Sequence, residues 1–165
     1  PGASAVTATE AARQADIVVL ALPLGKFYRL DPSLFKDKLV VDSMNHWYEV
    51  DGPLEDIIPD EKTTSEAVQA HLDSARVVKA FNHMGYHHLR DEARAAGQPG
   101  RKAIAIAGDD QSVVSTVSGF VDSLGFDPLI IGPLSSSKIL EAGQAGFGAN
   151  LTRQALSELV NASSR

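Results

Sequence analysis

Three short stretches of this chain, each directly following an apolar run, between them combine amides, backbone groups, aromatic rings and histidines. Pro23-Leu24-Gly25-Lys26 follows the run Ile17 to Leu22. Ser43-Met44-Asn45-His46-Trp47 follows Leu39-Val40-Val41-Asp42, and Asn82-His83-Met84-Gly85-Tyr86-His87-His88 follows Arg76 to Phe81. Carboxamides put a donor and an acceptor on one planar group, and aromatic rings supply flat apolar faces. Together they suit a flat heteroaromatic ligand held by hydrogen bonds at its edge. The same Asn45 and Asn82 could instead cap turns, and spacing alone leaves both readings open.

Other residues invite sharper chemistry and have plainer explanations. His83 and His87 are four apart and His88 adds a third nitrogen, which sketches a metal site. No cysteine and no carboxylate at a familiar ligand spacing completes it, so no metal is expected. A loop histidine reaching a cofactor, or an ordinary packing histidine, accounts for these residues better. Ser135-Ser136-Ser137 lacks the Gly-x-Ser-x-Gly surroundings of a nucleophile elbow and reads as a helix cap. Gly108-Asp109-Asp110 opens a helix, where negative charge is favourable beside the amide-rich end, and Asp109 is the expected cap.

The elements that must position these residues follow from the periodicity. Runs rich in apolar residues, with β-branched residues among them, at 17–22, 39–42, 76–81, 102–107 and 128–131 read as strands, the first of them continuous and buried on both faces. Thr7 and Glu10 have capping-box spacing ahead of a short helix ending near Gln14, and Thr63 to Glu66 opens another through Leu72. The segment with Phe27, Tyr28, Leu30, Leu34 and Phe35 reads as a crossover helix broken by Pro32. Val113, Val114, Val117, Phe120, Val121 and Leu124 form the apolar face of a helix stopped by Gly125. A last helix is expected from near Lys138, carrying Leu140, Phe147, Leu151, Leu156 and Leu159 with glycines at 143, 146 and 148; residues 44–61 and 91–101 are expected to be irregular. Strands alternating with helices predict an α/β fold with a largely parallel sheet.

The 165 residues suit one domain with an appendage. Fifteen Lys and Arg, dispersed against twenty-one Asp and Glu, give a formal charge of −6 and argue against nucleic acid as a partner. The longest apolar runs fall far below the ~20 residues of a membrane span, and the first residues carry no signal-peptide pattern. The chain has no cysteine, which is compatible with a reducing compartment, and a cytoplasmic location is expected.

The order and spacing of Ala15 to Pro23, Val40 to Asn45, Val77 to Asn82, Ala107 to Asp110 and Gly132 to Ser137 resemble the F420-dependent NADP oxidoreductase family, which is itself similar to the cytoplasmic domains of the STEAP metalloreductases. The resemblance implies a Rossmann-like fold that binds NADP or NAD, with F420, flavin or another small-molecule acceptor receiving hydride. It implies that Leu22 and Pro23 line the cofactor cleft, that Met44 and Asn45 approach the nicotinamide, and that Phe81, Asn82 and His83 edge the hydride-transfer site. Family members begin with a strand, a glycine loop and a ribose-reading loop of roughly 60 residues, and no Gly-x-Gly-x-x-Gly run occurs here.

The expectation is therefore a partial dinucleotide-binding domain over residues 1–134, lacking the first βαβ unit, followed by a helical extension over 135–165 that packs or mediates oligomers. A fragment of this kind is expected to form a homo-oligomer, because a truncated sheet leaves an edge and an apolar face uncovered. Two alternatives belong to other classes: a non-catalytic binding or assembly module that keeps the sheet without the phosphate grip, and a metal hydrolase built on His83, His87 and His88.

Overall fold

The computed structural model describes residues 2–58 and 62–163. Five strands lie side by side in chain order: β1 (Ile17–Leu20), β2 (Leu39–Asp42), β3 (Arg76–Lys79), β4 (Ala103–Gly108) and β5 (Asp127–Gly132). The β1–β2, β2–β3 and β4–β5 pairs are parallel, whereas β3 and β4 run antiparallel. The sheet is thus largely parallel with one reversal, so the carboxyl ends of β1 to β3 share one end of the sheet and those of β4 and β5 lie at the other. An apolar run carries no mark of direction, so the reversal leaves no trace in the strand pattern.

Helices cover both faces. Val40 and Val77 point to one side, where α1 (Ala8–Gln14) and α4 (Thr64–His71) bury Ala12, Ala67 and Val68 against them. Leu39, Val41 and Val78 point to the other, against Val113, Val114, Val117 and Val121 of α6 (Gln111–Ser123). A third cluster joins Ala103, Ala105 and Leu129 to Leu140 and to Leu156 of α7 (Arg153–Ser163). The remaining helices are single turns or little more: α2 (Tyr48–Asp51), α3 (Leu54–Ile57) and α5 (Tyr86–Asp91).

Helix entries follow the local chemistry. Thr63 and Glu66 form a reciprocal capping box at α4. At α1 only half of one forms: Thr7 accepts from the Glu10 amide, and the Glu10 carboxylate takes the Gln14 side chain. The α6 cap is Asp110, whose Oδ1 accepts from the Ser112 and Val113 amides. Asp109, the expected cap, instead accepts from the Leu134 amide.

Several expected elements take another form. The crossover between β1 and β2 is two 3₁₀ helices, Leu24–Arg29 and Pro32–Phe35, because Pro32 suits a first helical turn and Asp31 caps it. The first strand stops at Leu20, and it is not buried on both faces: Val19 is 45% exposed. The expected continuous helix from Lys138 does not form. Leu134–Leu140 is a 3₁₀ helix, and α7 begins only at Arg153. Gly143 and Gly148 adopt positive φ (84° and 78°), a left-handed conformation that breaks a right-handed helix. Of the expected irregular stretch 44–61, two short helices occupy part, and residues 59–61 lie outside the described residues.

Candidate cofactor site

Beyond the carboxyl ends of β1 to β3 lies an open cavity of about 620 Å³. Its base is Val19, Ala21 and Ser43, and its walls are aromatic: Phe81 and Tyr86 follow β3, Phe120 comes from α6, and Trp47 and Phe147 meet edge to face at 5.7 Å between ring centres. Phe81 also meets Phe120 edge to face at 5.9 Å. Among the described residues no Asp, Glu, Lys or Arg lines the cavity. A volume in the range of ligand pockets, with apolar walls and a few convergent amides, is the usual form of a small-molecule site.

The amides are held rather than free. Asn45 donates through Nδ2 to the Asn82 carbonyl at 2.9 Å, and Asn82 donates through Nδ2 to Asn45 Oδ1 at 3.1 Å and to the Leu140 carbonyl at 2.7 Å. The two carboxamides therefore tie the loops after β2 and β3 together and to the segment before α7. Asn82 is buried, and its Oδ1 accepts no hydrogen bond among the described residues. That oxygen is a buried acceptor left unused behind the cavity wall.

His83 also lines the cavity, and both of its ring nitrogens are committed. The Ala105 amide donates to Nε2 at 3.0 Å, so Nε2 is unprotonated; Nδ1 then carries the proton and faces the Ala149 carbonyl at 3.1 Å. Burial pushes the imidazole down to about 4, the carbonyl of Ala149 opposing this only in part. The ring is a neutral brace between β4 and the 149 loop. The backbone adds to this, the Gly148 amide donating to the His83 carbonyl at 2.8 Å.

Phe81 carries a further mark. Its φ of 68° places a bulky side chain in the left-handed region, which costs about 1–2 kcal/mol and is maintained only by its surroundings. The twist turns the chain out of β3 so that the Phe81 ring joins the cavity wall while Asn82 points inward to Asn45.

Of the residues singled out in the sequence, the structure brings Asn45, Phe81, Asn82 and His83 to this cavity. Leu22 packs against the core beneath α1 and α4, and Pro23 starts the first 3₁₀ helix. Met44 is buried and lines a narrow crevice of about 30 Å³ with Lys79 and Glu141 rather than the main cavity. The three histidines do not converge: His87 stacks on Tyr86, His88 faces Glu92 at 3.9 Å, and His83 is used as above. Among the described residues no group of three metal-ligating side chains occurs. Val19, Phe120 and Phe147 were not foreseen as site residues. Each reads locally as an ordinary core position, and only the tertiary fold turns it toward the cavity.

Sheet order and helix placement define a largely parallel α/β domain of Rossmann-like form. Residues 1–46 match the model of the family described as NADP oxidoreductase, coenzyme F420-dependent. The resemblance to that family drawn from the strand-end motifs is borne out. Among solved structures, a hypothetical protein, SMa0349, from Sinorhizobium meliloti superposes with a TM-score of 0.71 at 25% identity, covering 87% of this chain and 70% of that one. A protein from Arthrobacter sp. fb24 to which F420-dependent NADP reductase activity has been ascribed gives 0.64 at 22% identity, covering 93% of this chain and 64% of that one. The second likeness is one of fold. No curated protein matches the chain. Among the described residues no helix is long and apolar enough to cross a membrane.

Proposed function

We propose that this chain carries the nicotinamide side of an NAD(P)-dependent oxidoreductase that passes hydride between a nicotinamide dinucleotide and F420, a flavin or another small-molecule acceptor. The observation that carries the reading is the uncharged aromatic cavity at the carboxyl ends of β1 to β3, walled by Trp47, Phe81, Phe120 and Phe147 and edged by the Asn45–Asn82 pair. The lining fits the group: flat apolar walls for a heterocycle, with two carboxamides at their edge. When bound, the nicotinamide supplies or accepts the hydride.

The protein's part is orientation and dryness. Aromatic walls bring two flat rings into register and keep water from the transferred hydride, and hydride transfer between stacked rings demands no catalytic acid. The reading therefore assigns Asn45 and Asn82 to positioning and the aromatic residues to contact. Self-association belongs to the same proposal, because β1 and β5 each pair on one side only and leave two sheet edges open. Sedimentation of a clean monomer would count against it.

Trp47 is the chain's one tryptophan and stands in the cavity wall, so its emission reports on binding there. Titration with nicotinamide mononucleotide and with NADPH should quench it saturably. Phe81→Ala should weaken that binding about tenfold, the scale of one lost aromatic contact. Unchanged Trp47 emission and unshifted amide resonances at saturating probe would sink the reading. NADPH oxidation with deazaflavin, flavin and ferric acceptors then identifies the acceptor.

A further inference from the structure

Asp42 and Lys79 are opposite one another in the β2–β3 register, at the last position of each strand, and both are fully buried. Burying an ion pair costs several kcal/mol per ion in desolvation, and well-packed apolar residues of similar volume often serve stability as well or better. The contacts show what this pair supplies instead. Asp42 Oδ1 accepts from the Met44 amide at 2.9 Å, and Lys79 Nζ donates to the Met44 carbonyl at 2.7 Å. Asp42 Oδ2 closes the circuit by accepting from Lys79 Nζ at 3.2 Å and from the Ser65 hydroxyl of α4 at 2.7 Å.

Met44 is the residue at which the chain leaves the β2 ladder, so both of its backbone polar groups need partners in a buried place. The ion pair provides both. The next residue is Asn45, whose carboxamide is bonded reciprocally to Asn82, and Asn82 stands three residues after Lys79. One charged pair therefore anchors the two loops that carry the two carboxamides.

We propose that Asp42 and Lys79 are positioning residues: by gripping Met44 at both its amide and its carbonyl they fix the Asn45–Asn82 pair at the cavity wall. The proposal deepens the nicotinamide reading and rests on it for its functional meaning. Its structural content can be tested without any ligand. It predicts that the carboxamide geometry depends on the pair even when the fold does not.

The first measurement uses the unaltered protein. Carboxamide protons of Asn45 and Asn82 should exchange with solvent about tenfold or more slowly than those of exposed Asn161, in line with the one hydrogen bond that Asn45 Nδ2 donates and the two that Asn82 Nδ2 donates. Exchange as fast as at Asn161 overturns the proposal. Lys79→Met alone leaves Asp42 buried and unpaired and risks unfolding, so the decisive variant is the neutral double, Asp42→Asn with Lys79→Met. The carboxamide that replaces the Asp42 carboxylate can still accept from the Met44 amide, while the Met44 carbonyl loses its donor. A cooperative unfolding transition with the α6 and β4–β5 amide shifts retained, together with loss of the slow Asn45 and Asn82 exchange, supports the proposal. A folded double variant that keeps both slow carboxamides overturns it. If the double does not fold, fast carboxamide exchange in the unaltered protein still overturns the proposal. The Trp47 titration with nicotinamide mononucleotide is read separately: weaker binding in the folded double extends positioning to the ligand. Absence of binding to the unaltered protein sinks the nicotinamide reading and leaves the exchange result standing.

Discussion

Acid should destabilise this protein through His83 in a way that one substitution can isolate. In the folded chain burial holds the imidazole at about 4, whereas in the unfolded chain it titrates near its ordinary 6.5. A folded-state value below the unfolded one means that the unfolded state binds the extra proton. Stability is therefore intact above pH 6.5, falls as pH drops from 6.5 toward 4, and loses nothing more from this group below 4. The width of that window, at 1.36 kcal/mol per unit, gives a loss of about 3 kcal/mol, a large share of the stability of an ordinary domain. The assay is urea unfolding at half-unit pH steps for the unaltered protein and for His83→Gln, whose carboxamide can still bridge toward Ala105 or Ala149. Carboxylates that titrate in the same range contribute to both proteins and cancel in the difference. His83→Gln should be the less stable protein at pH 7, and the gap should close by about 3 kcal/mol on reaching pH 4. Parallel curves across that window would refute the reasoning. They would mean that His83 is not a buried neutral brace.

Two further perturbations test other parts of the frame. Arg101 is buried and donates to Asp122 Oδ1 and Asp127 Oδ1 at 2.8 and 2.7 Å, and to the Asp122 and Arg94 carbonyls, a fan that a lysine cannot reproduce. Arg101→Lys should lower the unfolding free energy by about 2 kcal/mol, read from the urea midpoint at unchanged slope. Gly108 ends β4 where an added Cβ would lie 2.9 Å from Val114 Cγ2 and 3.1 Å from Val78 Cγ2. Gly108→Ala should cost about 1–3 kcal/mol by overpacking between α6 and β3, measured as a drop in thermal midpoint.

What the sequence made legible, and what it did not, divides along the range of the interactions. The five apolar runs announced the strands, and Thr63 with Glu66 announced α4, because strand pattern and capping are settled within a few residues. Asn45 and Asn82 could be placed at strand ends for the same reason. Their mutual bonding could not, since it depends on the register that sets Asp42 against Lys79. The segment after Lys138 looked helical by its leucine spacing. Gly143 and Gly148 overrode that spacing by adopting left-handed turns, and Leu140 and Leu156 still reach one core cluster from separate elements. Phe120 and Phe147 carried no local sign of a site. Each faces the cavity because distant elements pack there.

The reversal between β3 and β4 has a consequence for how the molecule opens. That seam is held by two register pairs, Val78 with Gly108 and Lys79 with Ala107, whereas β1–β2 has four and β4–β5 has five. The sheet is thus two parallel ladders joined along a short seam, and parting them breaks no pair within either ladder, only the seam pairs and the apolar cluster that α6 builds across them. Partial opening of this kind separates cooperative units below the global unfolding free energy. The Ala105–His83 bond crosses the seam, and His83 belongs to the cavity wall. Seam and cavity wall therefore share one side chain, and a ligand that fills the cavity should slow hydrogen exchange at the Ala105 amide, across the seam from Asn45.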